Sequence, residues 1–152
     1  MSVHLLNQSL VGVNAILEEN QNPIEELYAI KKFVLQHLKG ENSSPAQQLQ
    51  KYYPKIYEDI KGRQYDFMQD CVCKNLTRGI EQGLFNKHLQ IAFVSRIYFI
   101  GITGIKDKDL FPVEEFPAAA LHEQYLEYHL RGIVTAKGRE ALNKLIKFNH
   151  KQ

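Results

Sequence analysis

Apolar side chains recur at steps of three and four along almost the whole chain, the spacing of a helix face. From Val3 the stripe runs through Leu6, Leu10, Val13 and Leu17, and the run from Asn20 to Asn22 breaks it. Asn22-Pro23-Ile24-Glu25 is a helix start: Asn22 caps, Pro23 suits the first helical position, and Glu25 stands where a capping box places a carboxylate. Ile24, Leu27, Tyr28, Val34, Leu35 and Leu38 follow as one stripe, with Gly40 as its stop. Ser43-Ser44-Pro45 repeats the start signal for a short helix that Pro54 ends. The longest pattern, from about Lys55 to Gly83, predicts a single long helix. A strongly apolar helix is predicted from Leu89 to Ile105. A charged loop at Lys106 to Asp109 follows, then a turn between Phe111-Pro112 and Phe116-Pro117. Ala118 to Arg131 reads as a helix ended by Gly132, and Thr135 caps a last helix running to about Phe148. No strand-like alternation is present. The pattern predicts an all-α bundle of about seven helices in one domain over residues 1–152.

The Leu89–Ile105 helix is apolar on nearly every side, and Ala118–Arg131 carries more than one apolar stripe. Either both lie at the centre of a monomer, or they meet a second copy in a two-fold four-helix seam. The expectation is a homodimer, with Tyr98, Phe99, Ile102, Leu121, His122, Tyr125 and His129 at the seam. On the long helix, Gln64, Met68, Cys71 and Asn75 follow steps of four, three and four and share one face. Two amides, a thioether and a thiol make an uncommon inward layer, because buried amides need partners. They bond a neighbouring helix or line a mostly apolar small-molecule cavity. For the cavity, Tyr28, Leu35, Tyr98 and Thr103 are the further candidates from other helices.

Composition narrows the function classes. Hydrophobic residues are 44% and charged residues 24%, an ordinary globular balance, and the net charge of +2 gives no general drive toward nucleic acid or anionic lipid. The first residues lack a signal-peptide pattern, and the apolar run from Leu89 is short and interrupted for a membrane span. Cys71 and Cys73 lack metal-ligand spacing and read as reduced thiols of a cytoplasmic protein. His122 and His129, seven apart, are too widely spaced for an i,i+4 metal pair. No phosphate loop, nucleophile elbow or acid–base pair is present, so no enzyme, cofactor or metal is expected. Nor is a basic recognition helix legible.

Several segments carry a resemblance. Lys51-Tyr52-Tyr53-Pro54-Lys55-Ile56-Tyr57 is one, and Asn75 to Phe85 (with Arg78-Gly79-Ile80-Glu81-Gln82-Gly83 inside it) is another. Asp109-Leu110-Phe111-Pro112, Tyr128-His129-Leu130-Arg131-Gly132-Ile133 and Thr135-Ala136-Lys137-Gly138 follow in order. Together they resemble TetR/AcrR-type bacterial transcription regulators of the Bacteroidetes type, over about Asn22 to Leu142. The resemblance implies an effector-binding and dimerisation domain whose last helices pair. It also implies a small effector that shifts the population of DNA-competent states. The DNA-reading helices of such regulators precede this domain, so DNA contact is expected only through an N-terminal helix-turn-helix domain outside this chain. The competing expectation is a stand-alone helical dimeric interaction protein with neither ligand nor DNA.

Overall fold

The computed structural model describes residues 12–17, 21–41 and 44–150. Residues 12–17 are helical (α1), and six further helices follow: α2 (Pro23–Glu41), α3 (Ser44–Tyr52), α4 (Pro54–Glu81), α5 (Ile91–Gly104), α6 (Ala118–Arg131) and α7 (Ala136–His150). The expected positions Leu6 and Leu10 and the start at Ser43 lie outside the described residues.

Local signals set the ends of these helices. The Glu25 backbone N–H donates to Asn22 Oδ1 at 2.9 Å, and Asn22 Nδ2 donates back to Glu25 Oε1 at 2.8 Å. The first bond satisfies one orphan backbone donor at the start of α2, and the second braces the capping side chain. Pro54 occupies the first turn of α4, where its missing N–H costs nothing. At 28 residues, α4 is about 42 Å long. It stops where Gly83 turns to φ +73°, a left-handed conformation that a side chain would disfavour, and Leu84 N–H returns to Gly79 O at 2.8 Å. Helix α5 starts two residues later than the apolar pattern predicts. Asn86 explains the shift: its side chain accepts His88 N–H at 2.9 Å and its carbonyl accepts Leu89 N–H at 3.2 Å, holding those residues in a turn.

Helix α4 is the spine, packed on α5 along one side and on α2 along another, while α6 and α7 cover α2 and α6 also meets α5. Ile24, Leu76, Phe85, Leu130 and Leu142 are the most deeply buried apolar side chains and tie α2, α4, α6 and α7 into one core. A smaller cluster of Val13, Ile30 and Cys71, bordered by Ile16, Phe33 and Phe67, fixes α1 to α2 and α4. The start of α7 docks on the turn after α4. There Thr135 N–H donates to Leu84 O at 2.9 Å, its hydroxyl to Gly83 O at 2.6 Å, and Asn86 N–H to Ile133 O at 2.8 Å. Thr135 Oγ1 also caps α7 by accepting Gly138 N–H at 3.1 Å. Among the described residues the only extended pairing is the isolated bridge Phe85–Val134.

Candidate ligand cleft and subunit face

The four α4 residues expected to share a ligand surface are put to different uses. Asn75 is buried and donates through Nδ2 to Pro23 O at 2.9 Å and to Glu26 Oε1 at 3.0 Å. Arg78 completes the cluster, reaching Glu26 Oε2 at 2.6 Å and Gln21 O at 2.8 Å. Glu26 is only 1% exposed, so this is a buried carboxylate neutralised across two helices. The neighbouring-helix reading therefore describes Asn75, although its Oδ1 remains without a partner. Cys71 packs in the Val13–Ile30 cluster, and burial, reinforced by Asp70 and Glu26, pushes its thiol up to about 11. Cys73 is free and half-buried. Gln64 and Met68 are half-buried around the middle of α4. Beside them Tyr65 meets Phe99 edge-on at 4.5 Å, and Gln69 Nε2 donates to the buried Ser95 hydroxyl at 3.1 Å.

Tyr28 and Leu35, the α2 candidates, line a different feature, an open cleft of about 1590 Å³ between α2, α6 and α7. Leu84, Ala141, Leu145 and Phe148 add apolar surface, and charged side chains border it from α2 and α7. Tyr28 is buried, and its hydroxyl has no partner. Burial, with the nearby Glu127 and Glu123 carboxylates, pushes that hydroxyl up to about 12 against the opposing pull of Arg131. The Lys31 ammonium lies 4.6 Å from the Tyr28 ring centroid, a cation–π contact. Burial lowers the Lys31 pKa, and Glu123 partly offsets the effect. At the C-terminal end of α7 Glu123 faces His150 at 3.7 Å, and at its N-terminal end Lys137 Nζ donates to Gln82 O at 3.0 Å. Thr103 lies elsewhere: it is exposed, and its hydroxyl returns to Phe99 O and Ile100 O of its own helix.

The α5–α6 contact is built on aromatics. Tyr98 is buried, with its ring 4.4 Å from the His129 ring and edge-on to Tyr125 at 5.7 Å. Burial raises the Tyr98 hydroxyl and pushes His129 down to about 4, so both stay neutral. His122 is half-buried and its pKa is lowered, first by burial and then by Lys106 and Lys31. Among the expected seam residues, Tyr98 and Leu121 are therefore spent inside one subunit and present no surface to a second copy. Phe99, Ile102, Tyr125 and His129 are half-buried and also packed inward: Phe99 on Tyr65, Ile102 on the main core, Tyr125 and His129 on Tyr98. The outward apolar face of α5 is instead Phe93, Ile97 and Ile100, at 64%, 46% and 61% exposure and at helical steps of four and three. The Tyr125 hydroxyl donates to Ile97 O at 3.3 Å, so this face borders α6, where Tyr128 is 84% exposed. Phe93, Ile97 and Ile100 are not among the expected seam residues, because a helix apolar on every side does not reveal which side is left over.

This helical order and packing make the molecule an all-α helical bundle. The fold is similar to the structure of the ketosteroid transcriptional regulator KstR2 of Mycobacterium tuberculosis, with a TM-score of 0.51 and 23% identity. The match covers 86% of this chain and 68% of that one, and at this identity the likeness is one of fold. No family model matches the chain, and no curated protein matches its sequence. Among the described residues, no helix is long and apolar enough to cross a membrane, and no group of three or more His, Cys, Asp or Glu side chains is placed to hold a metal.

Proposed function

We propose that this chain is the effector-binding and dimerisation domain of a cytoplasmic transcription regulator, and that DNA is read by a separate helix-turn-helix domain joined to it. One observation carries the reading: Phe93, Ile97 and Ile100 form an uncovered apolar face on α5, next to α6, in a fold shared with a transcriptional regulator. Three large apolar side chains left in water at helical spacing favour association. Paired with its own two-fold copy, the face makes a closed, isologous contact. A small, partly apolar effector is assigned to the α2–α6–α7 cleft, with Tyr28 and Leu35 among its contacts. Helix α6 supports coupling between the two sites, since its Glu123 lines the cleft and its Tyr125 grips α5 beside the apolar face. Sedimentation of chains with a charge placed on the α5 face tests the reading.

A further inference from the structure

We propose that the cleft between α2, α6 and α7 binds a single-tailed amphiphilic anion, with a carboxylate-class head held by Lys31 and Lys144 and a tail lying on Leu35, Leu145 and Phe148. The proposal names the ligand class for the sensing role above and rests on that reading.

Charge is the first argument. Three of the ammonium groups that line the cleft, Lys31, Lys32 and Lys144, form no salt bridge among the described residues. The other cleft lysine, Lys137, is taken by Gln82 O. The three carboxylates there are Glu25, which is bonded to Asn22, Glu123, which faces His150, and Glu140. With four lysines against three carboxylates, the cleft lining carries a formal excess of one positive charge. A bound anion meets the missing charge.

The placement of Lys31 is the second argument. Its ammonium is partly withdrawn from water over the Tyr28 ring, and burial lowers its pKa. An anion beside it restores the charged form and gains strength from the low local dielectric. The remaining surface selects the tail. Leu35, Ala141 and Leu145 are half-buried and Phe148 is largely exposed, so an alkyl chain laid there removes apolar area from water on both sides. The α7 wall is about 22 Å long and the cleft is open along it, which suits an extended flexible tail better than a compact enclosed molecule.

The test is calorimetric titration of the chain with decanoate, 1-decanol and decyltrimethylammonium, each below its micelle concentration. One decanoate is expected per chain, with the neutral and cationic probes at least about tenfold weaker. Lys31→Met and Lys144→Met are each expected to weaken decanoate about tenfold, the effect of losing one charge-assisted contact. Lys55→Met, on the exposed first turn of α4, leaves the affinity unchanged. Equal binding of the three probes overturns the proposal, as does decanoate affinity that neither cleft variant changes. Loss of dimer mass in Lys144→Glu also overturns it, because the cleft would then be occupied by a second copy. Sedimentation separates this proposal from the reading beneath it. A monomer that keeps Lys31-dependent decanoate binding removes the regulator reading alone, and a dimer that binds no decanoate removes the cleft ligand alone.

Discussion

The Tyr125 hydroxyl occupies the space that a side chain at Gly101 would need. It donates to Tyr98 O at 3.1 Å and to Ile97 O at 3.3 Å, while a Cβ built on Gly101 falls 2.0 Å from the tyrosine oxygen. Gly101 thus allows α6 to bond the backbone of α5. In an open helix, Gly→Ala gains up to about 1 kcal/mol. Here Gly101→Ala must push the Tyr125 ring aside and break both bonds, so a net loss of about 1–2 kcal/mol is expected in urea unfolding. The double variant Gly101→Ala/Tyr125→Ala is expected to lose less than the sum of its parts, since the second change removes the clash. Strict additivity would show that the two residues do not meet.

Gly138 is a more severe case. A Cβ there would lie 2.0 Å from Leu84 O, a backbone atom held in place by Thr135 N–H. No flexible side chain can yield, so α7 would have to lift off the turn at residues 83–86. Gly138→Ala is expected to cost about 3 kcal/mol, seen as a lower urea midpoint. A midpoint equal to that of the unaltered chain would contradict this docking.

These two contacts also show what the sequence could and could not reveal. Helix starts depend on groups three or four residues apart, so the Asn22–Glu25 pair, the Pro54 start and the Thr135 cap were legible from local spacing. The end of the long helical pattern near Gly83 was legible as well. The partner of Asn75 was not: Glu26 lies 49 residues away, and only the packing of α2 on α4 brings them together. The pairing of Arg78 with Glu26 was hidden in the same way. On α5, periodicity gave the existence of surplus apolar surface but not its direction. Tyr98 therefore looked as suitable for a seam as Ile97, although packing buries the first and exposes the second. The cleft draws on α2, α6 and α7, and no single helix carries its signature.

Burial gives the protein a pH dependence whose sign is fixed. His129 falls from the ordinary 6.5 to about 4 in the folded chain. The unfolded chain therefore binds the proton more readily, and stability is full above about pH 6.5 and falls as the pH drops toward 4. The loss over that window is expected to reach about 3 kcal/mol. His122 acts in the same direction. His129→Phe, which keeps a flat ring against Tyr98, is expected to remove most of the slope between pH 6.5 and 5. An unchanged slope in that variant, measured by urea unfolding across the window, would show that His129 titrates normally.

The proposed dimer pairs through the uncovered side of α5, and sedimentation equilibrium measures that pairing most directly. The unaltered chain is expected to sediment at twice the 17.6 kDa chain mass. Ile97→Lys and Ile100→Lys, which place a charge at exposed positions, are expected to sediment at the single-chain mass with the helical circular dichroism spectrum unchanged. A monomeric unaltered chain, or a dimer that survives both substitutions, would contradict the account.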